Sequence, residues 1–200
     1  LIQKTLPKGL YVDTFQRKAY LGLIPFFMKD IRLRYLPALY PFSSLLEINV
    51  RTYVYDEKGR PGVWFYSLDA NSSLAVWIAK TCFNLPYSKS NMSASKEYPI
   101  HYQTVRKNLN GNFKTDIRYS AGEDISEPLV ESLEFFLVER YLLFTQNTKT
   151  GQLFSGQVFH SPYQLKSAEY KIEEENLTAL AGFDRQKDKP DPVSYTHLRA

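Results

Sequence analysis

The sequence predicts an α+β chain that is mainly β: a curled antiparallel sheet of the barrel or cone type, with two principal helices covering it. Three observations carry this. Aromatic residues make up 15% of the 200, against only 9 Gly, and that many rings suits pleated surfaces. Alternating and β-branched segments recur between short turns, so the strands come in hairpins and pair mainly antiparallel. Only two longer stretches combine helical spacing with capping residues ahead of them. Hydrophobic residues are 44% and charged residues 23% of the chain, which excludes a disordered chain and a fibrous repeat. No uncharged apolar run approaches the ~18 residues of a membrane-spanning helix.

In chain order, Tyr11 to Phe15 and Lys18 to Phe26 read as two strands joined at Gln16-Arg17. Residues 29–45 carry Pro37 and Pro41 among aromatics and read as an irregular connection. Leu46 to Tyr55 and Val63 to Leu68 form a hairpin, because Gly59, Pro61 and Gly62 break both regular patterns between them. The first helix is expected over Ser72 to Phe83, with Asn71, Ser72 and Ser73 offering caps and Leu74, Trp77, Ile78 and Thr81 as its apolar face. Segments from Asn91, Ile100 and Phe113 make a meander, the last two joined by Asn110-Gly111, both of which tolerate positive φ. Ser126-Glu127-Pro128 opens the second helix, running to Arg140, with Leu129, Leu133, Phe136 and Leu137 inward. Tyr141–Gln146 and Gln152–Phe159 form a hairpin, Leu165–Glu173 a further strand, and Glu175–Ala181 a short helix ended by Gly182. The expected total is about nine strands.

The net charge of +4 is scattered in short pieces such as Arg106-Lys107, so these charges read as solvated. No basic stripe suggests nucleic acid. One cysteine, Cys82, excludes an internal disulfide and a Cys-based zinc site and fits a reducing, cytoplasmic setting. It lies beside Phe83 and reads as a buried structural thiol. Leu1 stands where an initiator Met would, so the chain reads as truncated at its N-terminus. Residues 193–200 lack any fold-related pattern and read as a non-native tail, leaving one domain over residues 1–192.

Five segments occur in a characteristic order: Leu6-Pro7-Lys8-Gly9-Leu10, Glu47 to Val54, Gly62 to Asp69, Glu139-Arg140-Tyr141 and His160-Ser161-Pro162. Together they resemble the YqjF-like family of uncharacterised bacterial proteins, domain of unknown function 2071, from about Leu1 to about Pro192. The resemblance implies an acetoacetate decarboxylase-like fold, a β-barrel or cone around a pocket. The decarboxylase carries its Schiff-base lysine in a Pro-Lys-Lys turn. The matching turn here reads Leu85-Pro86-Tyr87-Ser88-Lys89, so Tyr87 or Ser88 takes the lysine's place and Lys89 is displaced. The resemblance also places Glu47 where that fold carries a pocket carboxylate.

The strand 47–54 is the most informative piece. Period-two alternation puts Glu47, Asn49, Arg51 and Tyr53 on one face and Ile48, Val50, Thr52 and Val54 on the other. Half-buried strands commonly show such a pattern with the polar side in solvent. A closed fold makes it a pocket wall instead, with the aliphatic side against a helix. A carboxylate beside Arg51 would stay ionised. On the partner strand, Trp64, Tyr66 and Leu68 share one face and Phe65, Ser67 and Asp69 the other; Asp69 reads as a turn or cap residue. Arg140 complements the end of the second helix. His160 and His101 have no partner fixed by sequence. No nucleophile elbow, metal-ligand spacing or phosphate loop is present.

The reading is therefore a protein that binds a small, largely apolar molecule in a β-barrel pocket. Glu47, Asn49, Arg51, Tyr53, Tyr66 and Tyr87 are its expected ligand-binding residues. No metal, cofactor, nucleic acid or membrane partner is expected, and a homo-oligomer is left open. The alternative is an enzyme of the same superfamily acting on a small carboxylate or keto acid, with Glu47 and Tyr87 as acid and base and Arg51 holding the carboxylate. Schiff-base chemistry is not expected, because Lys80 lies off the main apolar face of its helix and Lys89 is out of place.

Overall fold

The structure is a computed structural model and describes residues 1–28, 45–108, 111–125, 128–158, 165–183 and 195–196. The expected connection over residues 29–44 lies outside these residues. So do Ser126, Glu127, His160, Ser161, Pro162 and His197.

After a 3-10 turn at Ile2–Thr5, β1 (Leu10–Val12) and β2 (Leu21–Met28) run along one edge of β3 (Leu45–Asp56). β1 lies opposite Val54 to Asp56, and β2 opposite Leu45 to Thr52. The turn at Gln16 and Arg17 forms as expected, with φ of 49° and 64° and a bridge between Phe15 and Lys18. The two strands it was expected to pair do not pair with each other. They are one interrupted edge strand, and the turn tips an excursion from it. Asp13 N donating to Tyr53 O (2.9 Å) and Thr52 Oγ1 donating to Tyr20 O (2.8 Å) hold its two ends to β3.

β3 turns into β4 (Pro61–Ala70) at Asp56. Its carboxylate accepts from Lys58 N (3.0 Å), Arg60 N (2.9 Å) and Arg60 Nε (2.8 Å), while Gly59 takes φ of 73°. Burial pushes the Asp56 carboxyl upward, but these donors and the Arg60 charge outweigh it and hold it below its ordinary value.

The first helix, α1 (Ser73–Phe83), starts where the sequence places it, with Ser72 Oγ accepting from Ala75 N at 3.3 Å. Its inward face is different. Val76 is buried with Ala75 against Leu45 and Ala70, while Trp77 is 62% exposed and Leu74 and Cys82 are also exposed. The small residues of the helix, Ala75 and Val76, are the ones that pack on the sheet end it covers. The large side chains and the Cys82 thiol, expected inside, face outward.

β5 (Tyr87–Ala94), β6 (Ile100–Asn108) and β7 (Gly111–Ile125) follow as a meander. β6 and β7 pair out to Asn108 opposite Gly111, so Gly111 belongs to the strand, while Asn110, the other residue of the expected turn, lies outside the described residues. The second helix is shorter than expected. α2 (Leu133–Val138) is capped by Ser132 Oγ, which accepts from Phe135 N at 3.1 Å, and Leu129 is 78% exposed ahead of it. Leu133, Phe136 and Leu137 do face inward, against Tyr53 and Val63.

β8 (Leu142–Gln146), β9 (Leu153–Gln157), β10 (Leu165–Glu175), α3 (Leu177–Leu180) and the two-residue β11 (Tyr195–Thr196) complete the described elements. Their sheet runs β1-β3-β4-β5-β6-β7-β10-β11, with β2 on β3 and the β8–β9 pair on β4. Pairing is mainly antiparallel, but β4 meets both β5 and β8 in parallel. Ile48 and Val50 of β3 contact Ile100 and Tyr102 of β6, Ile117 and Tyr119 of β7, and Leu177 of α3. Strands so far apart in the order touch only if the sheet curls into a half-barrel. Complete burial of Ile48 or Val50 contributes about 1.5–3 kcal/mol each. The opposite, convex face of β3 and β4 is covered by α1 at one end and α2 at the other.

Candidate functional site

Cross-strand partners share a sheet face. Glu47, Asn49, Arg51 and Tyr53 therefore lie in one row on the convex face of β3 and are withdrawn from water, Glu47, Asn49 and Tyr53 being 4, 1 and 2% exposed and Arg51 half-buried. The faces are the reverse of the expected arrangement. The aliphatic residues point into the curled sheet, and the polar row points to the side that the helices cover. On β2, Ile24 and Phe26 lie opposite Asn49 and Glu47; on β4, Leu68 and Phe65 lie opposite Asn49 and Arg51. Gly22, opposite Arg51, leaves room for it: a Cβ there would sit 3.4 Å from Tyr53 Oη and 3.6 Å from Arg51 Cγ. The polar row is thus walled by apolar side chains on both neighbouring strands.

Tyr87, at the start of β5, joins the row because β5 pairs parallel to β4 with Tyr87 opposite Leu68. Its hydroxyl donates to Glu47 Oε2 in a short contact, and Asn49 Nδ2 donates to Glu47 Oε1 at 3.2 Å. Burial pushes the Glu47 carboxyl above its ordinary 4.5; the bonds from Tyr87 and Asn49 and the Arg51 charge pull it back only in part. This direction runs against the expectation that Arg51 would keep the group ionised. Burial, and then the neighbouring Glu47 charge, push the Tyr87 phenol up as well, so it acts as a hydrogen-bond donor.

Arg51 Nη2 donates to Leu137 O at 3.2 Å, binding the end of α2. Arg140 does the same one residue earlier, Nε to Phe136 O at 2.7 Å, and pairs with Asp13 at 2.6 Å. The two guanidinium groups stack on Tyr53, at 5.5 and 5.7 Å from its ring centre. Arg140 thus complements the helix end as the sequence suggests. Two buried atoms of the row, Asn49 Oδ1 and Arg51 Nε, have no hydrogen-bond partner among the described residues.

Tyr66 does not belong to this group. β4 carries one extra residue between the pairs Val50–Ser67 and Arg51–Phe65. That bulge interrupts the alternation: Trp64, Ser67 and Asp69 fall on the concave side, Phe65 and Leu68 on the convex side. Tyr66 packs with the concave core, its ring 4.8 Å from that of Phe183 and its hydroxyl 2.6 Å from Thr5 Oγ1.

Sequence reasoning missed a second buried cluster. Asp69 is fully buried on the concave side and is held by the Arg106 guanidinium, with Nε at 2.9 Å, and by the Ser90 hydroxyl. Arg106 Nη2 also donates to Ser67 Oγ at 2.6 Å. Neither the turn role expected for Asp69 nor the solvated role expected for Arg106 applies. Two positions 37 residues apart leave no local signal. His101, on the outer side of β6, finds a partner in Asp116 at 2.7 Å. Among the described residues no lysine is buried, Lys80 and Lys89 are exposed, and no cluster of three metal-ligating side chains forms. No described helix is long and apolar enough to cross a membrane.

Domain of unknown function 2071, a family described as an uncharacterized conserved protein, matches residues 1–198. The chain belongs to this family. A relative in Bacillus subtilis strain 168, the uncharacterized protein YqjF, is 34% identical over 194 residues, covering 95% of this chain and 77% of YqjF. Among solved structures, acetoacetate decarboxylase from Legionella pneumophila matches with a TM-score of 0.51 at 9% identity, over 98% of this chain and 94% of the decarboxylase. The family member described here therefore shares the decarboxylase fold, as the ordered motifs imply.

Proposed function

We propose that this chain binds a small, largely apolar molecule by one polar end, on the convex face of β3. The observation that carries the reading is the pair of buried, unmatched atoms on neighbouring positions of that face, an acceptor at Asn49 Oδ1 and a donor at Arg51 Nε. Leaving such groups unpaired costs about 1–3 kcal/mol each. A ligand group that both donates and accepts would recover that cost, while Ile24, Phe26, Phe65 and Leu68 receive its apolar body. The Glu47–Tyr87 pair borders the same place and would orient the polar end.

The test is thermal unfolding of the full chain against a panel of small aliphatic and aromatic acids, amides and alcohols. A ligand at 100 times its Kd adds about 2.7 kcal/mol, and each kcal/mol moves Tm by about 2–4 °C in a chain of this size. The shift should appear in the parent protein and be lost in Asn49→Leu and Arg51→Met. Shifts of equal size in all three proteins would overturn the reading.

A second reading is favoured by the Glu47–Tyr87 contact: an enzyme acting on a small carboxylate or keto acid, with Glu47 as the proton-transferring group and Arg51 as the carboxylate anchor. Turnover of a keto acid that Glu47→Gln abolishes would establish it. Borohydride treatment with acetoacetate should leave the intact mass unchanged, since every described lysine is exposed or half-exposed and none is enclosed in an apolar site that would activate it.

A further inference from the structure

Among the described residues, strand edges lack a partner along the three-residue β1, along β2, along β9, and along β10 beyond its short pairing with β11 at Leu165 and Lys166. Open edges template pairing with other chains, and proteins blunt them with Pro, charges or bulges. β2 carries Pro25 on its edge. β10 carries exposed Lys171, Glu173 and Glu174 and two register irregularities. β9, Leu153-Phe154-Ser155-Gly156-Gln157, carries neither Pro, nor charge, nor a bulge.

The backbone polarity of β9 follows from its pairing with β8. Val158 N donates to Tyr141 O and Asn147 N donates to Gln152 O, both at 2.9 Å. Hydrogen-bonded positions alternate in an antiparallel ladder, so Gln152, Phe154, Gly156 and Val158 are turned to β8. Leu153, Ser155 and Gln157 turn their N–H and C=O groups outward. That row is its own complement. Turned about a twofold axis through Ser155, Leu153 faces Gln157 of a second copy, and Ser155 faces itself. Each of these pairs exchanges two backbone hydrogen bonds. The same rotation lays Phe154, 41% exposed, over Gly156 of the second copy, in the closer, non-hydrogen-bonded type of pair. A ring over a cross-strand glycine covers backbone that glycine leaves bare.

We propose that the β9 edge is the contact through which this chain pairs with a second copy of itself, antiparallel and centred on Ser155. The contact is isologous. A five-residue edge falls in the small class of interfaces, so the dimer dissociates on dilution.

Sedimentation equilibrium of the full chain should show a concentration-dependent monomer–dimer exchange. Ser155→Pro removes an outward donor that the β8–β9 ladder does not use, so it should yield a monomer with an unchanged far-UV spectrum. If that variant fails to fold, Phe154→Lys decides, since it adds charge at an exposed position and should also give a monomer. The register is tested with cysteine in a Cys82→Ser background. Ser155→Cys places two Cα atoms about 5.5 Å apart across the axis, inside the disulfide range of about 4.4–6.8 Å. Gln157→Cys places them about 14 Å apart. Mild oxidation should link the first and not the second. A parent chain that stays monomeric up to its solubility limit, a dimer that survives Phe154→Lys, or equal cross-linking of both cysteine variants would overturn the proposal.

Discussion

Glu47 and Asp69 are buried acids on opposite faces of one hairpin: Asp69 is directly opposite Ile48, the residue after Glu47. Their surroundings differ in completeness. Asp69 meets a two-nitrogen guanidinium fork and a serine hydroxyl, and its partner Arg106 also reaches Ser67. That cluster ties β4, β5 and β6 together across the parallel junction. Glu47 has a phenol and an amide, its charge partner Arg51 is bound to the end of α2, and two neighbouring polar atoms are left over. A saturated buried network is structural, because every desolvated group has already been compensated within the chain. An unsaturated one keeps hydrogen-bonding capacity for something else. This contrast is the reason the ligand reading is attached to Glu47 and not to Asp69.

The contrast can be broken from either side. The largest effect is expected for Arg106→Met, which strands the Asp69 charge in the interior and should cost about 3–5 kcal/mol in urea unfolding. Replacing both partners, Asp69→Leu with Arg106→Met, should recover most of that loss; a double variant as unstable as the single one would mean the cluster does more than satisfy itself. Arg51→Met removes a charged hydrogen bond to Leu137 O but strands no fully paired acid, so a smaller loss of about 1.5–3 kcal/mol is expected. Asn49→Leu deletes an oxygen that is already unmatched but also the amide that donates to Glu47 Oε1, so a loss of about 1–2 kcal/mol is expected. The same variant should abolish any ligand-induced rise in Tm.

The smallest effects are in pH dependence, and the two acids of β3 give opposite signs. Glu47 has a raised pKa in the folded chain. The unfolded chain therefore loses its proton first, and stability falls as pH rises from the ordinary carboxyl value to the raised one, remaining lowered above it. Glu47→Gln should flatten that limb of a Tm–pH curve. Asp56 has a lowered pKa. Its contribution is present above the ordinary value of 3.8 and is lost as pH falls through the folded value. Asp56→Asn should flatten the acid limb and leave the other untouched.

Much of the framework is legible in the sequence by itself. The alternation over Glu47 to Val54, the turn at Asp56 to Arg60, the Ser72 cap and the stop at Gly182 are local signals. Each is set by backbone sterics or a hydrogen bond within a few residues. The ordered family motifs add the fold. The common face of Glu47, Asn49, Arg51 and Tyr53 follows from period two alone. Which way that face points does not, because both faces of β3 are buried and alternation distinguishes two sides without labelling them. Only the curl of the sheet decided that Ile48 and Val50 go inside. The bulge at Tyr66, the Asp69–Arg106 pair, the parallel seat of Tyr87 beside Glu47 and the outward turn of Trp77 and Cys82 were likewise settled by distant neighbours. Pairing partners and helix docking are chosen by packing between segments far apart in sequence, and that energy has no local period to betray it.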